Sequence, residues 1–416
     1  MEKKRVVITG MGLVSCFGSD PDEFYKNLLE GNSGVGFIED LDLSDLHTKF
    51  AARVKGFSPE SVLEKKEARR TDLCIPYTIA AGRDALARSK LDLASIDKTR
   101  AGIIVGTGIG GVSVFAENVK TMVQKGIDRI SPFFIPYSIT NMPGAKLAMD
   151  LGFKGPNYSI STACATSNHS MIAAAEHIRQ GHADIMLTGG VEATINLVCF
   201  GGFCALKALS RGPVPAEASK PWDIKRDGFV LGEGAAVFVF EELEHALKRG
   251  APILAEYRGG FATCDAHHMT EPTPDGSEVA RCIAEALKDG GLSPDQIDYI
   301  NAHATSTPVG DLCEVRAIRK IFGPTLDRIK VNATKSLIGH ALGGAGALEM
   351  VAVLKAMETG MLHPTINLTE PEGELEGIDV VQGKAKNHVV RHAISNSFGF
   401  GGHNAVVAVS KFEENH

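Results

Sequence analysis

Short apolar runs recur along the chain, and most of them run into glycine. Residues 6–9 (Val-Val-Ile-Thr) lead into Gly10-Met11-Gly12, and residues 101–105 lead into Gly106-Thr107-Gly108-Ile109-Gly110-Gly111. Residues 184–188 lead into Gly189-Gly190, and residues 253–258 into Gly259-Gly260. Runs this short, bounded by glycine, read as buried strands. Further strands are expected at 234–241, 297–302, 329–333, 393–395 and 405–409. Between them the spacing of apolar positions turns helical. Pro21 to Glu30 is a helix with Asp20 as its N-cap and Gly31 past its end. Residues 75–89, 165–179, 242–249, 277–289 and 347–357 follow the same period. Residues 56–72 and 206–228 read as irregular, and 131–136 as an apolar loop.

The second part of the chain echoes the first: strand, helix, strand, helix, a strand-to-helix junction, then a strand with a glycine stop. Gly250-Ala251-Pro252 is the best boundary, which divides the chain into residues 1–251 and 252–416. Strands alternating with helices predict two similar α/β halves, each a mostly parallel sheet covered by helices. At 416 residues the chain exceeds what one core supports. A net charge of −7 argues against broad nucleic-acid binding, so any basic contact surface must be local. The eight cysteines form no C-x-x-C pair, which argues against a zinc ribbon and suits a reducing compartment. No stretch approaches the roughly 18 apolar residues of a membrane span. The opening Met1-Glu2-Lys3-Lys4-Arg5 runs straight into the first strand, with no signal-peptide core or transit segment. A cytoplasmic location is therefore expected.

Chemistry concentrates at Cys164. A Gly155-Pro156 turn precedes an alternating stretch, 158–162, that reads as a strand, and the helix from 165 follows. The thiol therefore stands at a helix N-terminus, where unpaired N–H groups gather and a cysteine is lowered from its usual value of roughly 8.5. A buried structural cysteine is the plainer reading of the same position. Three pieces in the second half bear on that choice. His303 ends a strand in Asn301-Ala302-His303-Ala304-Thr305-Ser306-Thr307-Pro308. Lys335 and His340 flank Ser336-Leu337-Ile338-Gly339. Asn396-Ser397-Phe398-Gly399-Phe400-Gly401-Gly402 is a loop able to turn N–H groups toward an oxyanion. A lone histidine, lysine or glycine loop is ordinary. A strand-end cysteine, two histidines and a donor-rich loop at matching places in duplicated halves are what thiol acyl transfer needs.

These motifs, with Lys220-Pro221-Trp222-Asp223, Asp227-Gly228-Phe229-Val230 and Leu231-Gly232-Glu233-Gly234, resemble the β-ketoacyl-[acyl-carrier-protein] synthases over nearly the whole chain. The likeness is to the elongating kind with a Cys-His-His triad, nearest the synthase II branch of bacterial type-II fatty-acid synthesis. Synthase I and polyketide ketosynthases are the alternatives within the family. The resemblance implies a thiolase fold, with duplicated halves in five αβαβα layers, working as a homodimer. It implies Cys164 as nucleophile and His303 and His340 as catalytic partners. Lys335 becomes the supporting cation with Glu349, and Phe400 the gating aromatic. Ile109, Phe203, Thr305, Thr307 and Phe398 become substrate-binding residues, joined by Phe133 or Phe134 from a second subunit. Lys65, Arg69 and Arg70 become the docking site for an acidic acyl carrier protein. The carrier brings its own phosphopantetheine, and no metal or other cofactor is expected. Two positions depart from the family pattern: Ala304, where glycine is usual, and His403, where threonine is usual. An extra imidazole at 403 is expected near the cavity mouth. The rival reading is a dinucleotide-binding oxidoreductase, since Gly106, Gly108 and Gly111 satisfy G-x-G-x-x-G after a strand.

Overall fold

The structure, a computed structural model, describes residues 3–413. The outer ends of the two expected halves, Met1 and Glu2 and residues 414–416, lie outside the described residues. Ten strands share one sheet: β1 (Val6–Val14), β2 (Ala101–Thr107), β3 (Ile185–Glu192), β4 (Gly234–Glu242), β5 (Ala255–Cys264), β6 (Tyr299–Asn301), β7 (Lys330–Asn332), β8 (Asp379–Val380), β9 (His392–Gly399) and β10 (His403–Ser410). Their order is β8-β7-β6-β9-β10-β5-β1-β4-β3-β2. The order is a duplication. Outward from β1, the pairings with β4, β3 and β2 run antiparallel, antiparallel, parallel. Outward from β5, the pairings with β10, β9 and β6 run the same way. The two sets join where Val6–Ile8 pairs with residues 255–257.

Seven helices matter to the site. They are α1 (Pro21–Glu30), α2 (Cys74–Ser89), α3 (Met142–Leu151), α4 (Thr166–Arg179), α5 (Ser277–Asp289), α6 (Pro308–Phe322) and α7 (Ala345–Thr359). Helices α2 and α3 cover the outer face of the first strand set, and α5, backed by α6, covers that of the second. Between the sets lie α4 and α7, each packed on strands of both. The result is the five-layered thiolase arrangement. The central helices are small-residue-rich because both of their faces meet a sheet: from Ala345 to Met357, α7 is buried all round. Helix α1 starts as the sequence indicates, with the Asp20 carboxylate accepting from the N–H groups of Asp22 and Glu23, and Gly31 left-handed at its end.

Several elements differ from the pattern-based expectation. The sheets are mixed rather than mostly parallel. Only three residues separate β9 from β10; so short a connection forces an antiparallel return, whereas a parallel one needs a long crossover. Strand β1 runs on through Gly10 and Gly12, and β5 through Gly259 and Gly260. These glycines admit a helix instead of ending a strand. A Cβ on Gly10 would lie 2.2 Å from the Ala85 carbonyl of α2, and one on Gly259 would lie 2.4 Å from the Gly290 nitrogen just past α5. Residues 158–162 form no ladder; an isolated bridge to β2 lies just before them, Ile103 to Asn157. Hydroxyls replace the ladder: Ser161 donates to the Thr107 carbonyl at 2.7 Å, and Ser159 to that of Val105 at 3.3 Å. Within 131–136 a short helix, Phe134–Ser138, begins, and Lys65–Ala68 is another. Among the described residues, no helix is long and apolar enough to cross a membrane.

Gly10→Ala should lower stability by about 1–3 kcal/mol, the cost of overpacking a filled site. Gly36→Ala is the control, because nothing lies within 4 Å of its Cβ position. Urea midpoints measure both; an unchanged midpoint for Gly10→Ala would refute the packing account of β1.

Candidate active site

Cys164 sits in a one-turn 3-10 segment, Ala163–Ala165, that precedes α4. Ala163 holds φ 49°, a left-handed conformation costly for a side chain with a Cβ. The neighbours hold it there. The Thr162 N–H donates to Thr166 Oγ1 at 2.9 Å, and His169 Nδ1 lies 3.1 Å from the Ala165 carbonyl and 2.9 Å from Thr162 Oγ1. From the other half, the loop after β9 closes on this turn. A Cβ on Gly399 would stand 2.7 Å from the Thr162 carbonyl and 3.0 Å from the Cys164 nitrogen. Only glycine allows that approach, and it brings the Phe400 N–H, beside that of Cys164 itself, to face the sulfur.

The thiol does not have the lowered pKa expected from its position. Burial pushes it up to about 12, opposed by the Lys335 cation and the two N–H groups and reinforced by the Glu192 carboxylate. The reason is placement: Cys164 is 7% exposed and lies in the tight turn ahead of the helix proper. At rest the sulfur is a neutral thiol.

His303 and His340 meet edge to face, with ring centroids 5.4 Å apart. Phe398 packs on His303 at 5.5 Å and Phe229 on His340 at 5.3 Å. His303 Nδ1 and both ring nitrogens of His340 are buried without a hydrogen-bond partner. Burial, with Lys335 nearby, holds both imidazoles well below their usual range, so both are neutral. His340 is fixed through its backbone: its N–H donates to the Val230 carbonyl at 2.7 Å, and its carbonyl accepts from Gly232. The Asp227-to-Gly234 motif thus serves as the seat of His340.

His303 is seated by Glu314, a residue the sequence reading missed. One carboxylate accepts the N–H of His303 at 2.9 Å, that of Ala304 at 2.8 Å, and the Asn396 amide at 2.9 Å. Ala304 has φ 24°, in the region that favours glycine, and this carboxylate holds it there. One turn earlier, Asp311 caps Ser306 and Trp222 in the same way. Two acids at i and i+3 at the start of a helix share a face. That spacing, just after the His303 loop, was the available signal.

Lys335 and Glu349 form a buried ion pair behind the histidines. Glu349 Oε2, Asn301 Oδ1, Ser395 Oγ and Asn396 Oδ1 are each buried without a hydrogen-bond partner. No group of three His, Cys, Asp or Glu suited to a metal occurs among the described residues.

Cys164, His303 and His340 open into one cavity of about 390 Å³. Ile109, Phe203, Thr305, Thr307, Phe398 and Phe400 also line it. Lys65, Arg69, Arg70, Phe133 and Phe134 do not. The three cations are exposed, and the Arg70 guanidinium lies over the Phe133 ring at 5.5 Å. The basic segment and the apolar 133–139 segment are therefore neighbours. His403 is not at the mouth as expected; its ring packs edge-on against His169 at 6.2 Å, behind the nucleophile turn. The dinucleotide reading fails on the same geometry. The N–H groups of Gly108 and Ile109, which a pyrophosphate would need, donate to the buried Glu192 carboxylate at 2.9 and 3.3 Å.

Comparison with known proteins agrees with this geometry. Residues 3–246 match the family model "Beta-ketoacyl synthase, N-terminal domain", and residues 254–369 match "Beta-ketoacyl synthase, C-terminal domain". The chain is 57% identical to the chloroplastic 3-oxoacyl-[acyl-carrier-protein] synthase I of Arabidopsis thaliana, over 99% of this chain and 87% of that protein. It is 49% identical to the chloroplastic synthase II of the same plant, over 99% and 76%. Among solved structures, a type II polyketide acyl-carrier protein in complex with its ketosynthase bound to the hexaketide superposes with a TM-score of 0.91 at 32% identity, over 99% of this chain and 100% of that one.

Neutral histidines predict a titration result. In histidine-labelled protein, the signals lost in His303→Ala and in His340→Ala should show no protonation step between about pH 6 and 8, where a free imidazole titrates. A step near pH 6.5 in either would contradict the burial account.

Proposed function

The chain belongs to the β-ketoacyl synthase family, and we propose that it acts as a 3-oxoacyl-[acyl-carrier-protein] synthase II that extends fatty-acyl chains. The observation that carries this reading is the single cavity holding Cys164, His303 and His340, with two N–H donors facing the sulfur. In acylation, Cys164 sulfur attacks the thioester of an acyl carrier protein. The oxyanion forms against the N–H groups of Cys164 and Phe400, and the thiol proton ends on the departing phosphopantetheine thiol. The acyl chain lies along Ile109 and Phe203. Malonyl carrier protein follows. Loss of CO2 leaves its electron pair as an enolate on the thioester oxygen, and two neutral imidazoles can each donate one N–H to it. The enolate carbon attacks the acyl-Cys carbonyl, the oxyanion returns to the same N–H pair, and collapse expels the Cys164 sulfur. The product is a 3-oxoacyl thioester.

Decarboxylation drives this sequence and sulfur supplies the covalent step, so the reading asks for no metal or nucleotide; the phosphopantetheine arm belongs to the carrier. A homodimer is part of the proposal. Phe115, Val123, Ile127, Phe133 and Ile135 are exposed apolar side chains within residues 115–135, and a second copy would cover them. Lys65, Arg69 and Arg70 beside that segment are the proposed dock for an acidic carrier. The eight unpaired cysteines suit the cytoplasm. The greater identity to the synthase I relative favours a second reading, synthase I; condensation with primers of graded length separates the two.

Cys164→Ala should abolish condensation and leave malonyl carrier decarboxylation measurable, because that half-reaction uses His303 and His340. Full condensation by the variant would sink the nucleophile assignment. Reversing Lys65, Arg69 and Arg70 to glutamate should raise KM for carrier-bound substrates and weaken its salt dependence, with a pantetheine thioester unaffected. An equal loss with both substrate types would point to a folding defect and away from docking.

A further inference from the structure

Glu192 ends β3, is fully buried, and takes no part in the chemistry above. Its carboxylate has no salt-bridge partner among the described residues, yet four donors converge on it. Oε1 accepts from Thr107 Oγ1 at 2.8 Å and from the Ile109 N–H at 3.3 Å. Oε2 accepts from the Gly108 N–H at 2.9 Å and from the Gly343 N–H at 3.0 Å. The first three donors belong to the cavity wall that carries Ile109. The fourth belongs to the second half, three residues beyond His340, beside Leu342, which also lines the cavity. The segments touch with clearance only for glycine: a Cβ on Gly343 would lie 2.3 Å from the Gly108 nitrogen. The other side of the same residue is also tied, because Ser167 Oγ, three residues after Cys164, donates to the Gly343 carbonyl at 2.5 Å.

We propose that Glu192 is a positioning residue, a strut that holds the Ile109 wall, the His340 turn and the Cys164 helix at one spacing. Chain-length limit and the distance from the acyl-Cys carbonyl to His340 are then set together. The inference rests on the assignment of Cys164 and His340 to the condensation. It explains why an acid is used here. Four donors need four lone pairs, which one carboxylate supplies, and an amide would turn its own NH2 toward two of them.

Glu192→Gln tests it. The expected result is a folded protein whose condensation kcat falls by roughly 10-fold or more, the scale of a small misplacement, with KM for carrier substrates unchanged. The ratio of long-primer to short-primer activity should shift. Alkylation of Cys164 by iodoacetamide should be as fast as in the wild type or faster, since the variant loses a negative charge that disfavours the thiolate. Ser167→Ala, which cuts the other tie to Gly343, should move kcat and the length profile the same way to a smaller extent. If Glu192→Gln does not fold, Ser167→Ala decides. Wild-type kcat and length profile in the folded variants would overturn the strut. So would a parallel loss of alkylation and condensation, which signals general damage. A wild type that does not condense would instead overturn the functional reading itself.

Discussion

One glycine contact between the two halves is what makes a site. Gly399 presses on the backbone of Thr162 to Ala165 with no room for a Cβ. That contact sets the Phe400 N–H beside the sulfur and faces Phe398 against His303. It also explains the mixed sheet. The loop can reach across because β9 and β10 form a tight antiparallel pair at the end of the second strand set. The duplicated order places the nucleophile turn before α4 and the Lys335–His340 segment before α7, equivalent points in two copies of one plan. Packing α4 and α7 together between the strand sets brings those points face to face.

Burial then decides the electrostatics. Each group that takes part in the chemistry is held neutral: the thiol is pushed up and both imidazoles are pushed down. An imidazolium would donate more strongly, but here it would face Lys335 in a low dielectric. Neutral rings with unpaired nitrogens need no reorganisation to meet an enolate oxygen. The helix N-terminus at Cys164 therefore acts less by ionising the resting thiol than by presenting N–H groups to charge that develops on the substrate.

The three reactive side chains, most strand positions and five of the seven helices named above, all but α3 and α6, were legible in the sequence because each rests on a local signal. Asp20 and Gly31 bracket α1, and apolar runs mark the strand interiors. The glycines misled for a physical reason. Gly10, Gly12, Gly259 and Gly260 look like strand stops, but a strand also needs glycine wherever a helix crosses it closely, and pattern alone does not separate the two. Residues 158–162 alternate like a strand, yet their serines satisfy the carbonyls of β2 and its neighbours that a ladder would otherwise use. The length of β1 and the sense of the pairings depend on contacts far apart in the chain, and no local window carries them.

The residues the sequence did not disclose are mostly buried acids. Glu192, Asp311 and Glu314 are each surrounded by backbone N–H groups at strand or helix ends, and Glu192 and Glu314 have no salt-bridge partner among the described residues. Reading by side-chain chemistry looks for an acid beside a base or a metal, and these pair with the main chain. Their role follows from what they hold. Ala304 and Ser306 are left-handed without glycine's freedom, so the loop that carries His303 is strained and would relax if released. A carboxylate that accepts consecutive N–H groups fixes such a loop more firmly than packing does, because leaving buried N–H groups unpaired costs about 1–3 kcal/mol each. The desolvation of these acids is offset by the donors they collect, and the histidine and the cavity wall inherit the resulting rigidity. In this fold the reactive side chains are few, and the precision of their arrangement comes from carboxylates that take no part in the chemistry.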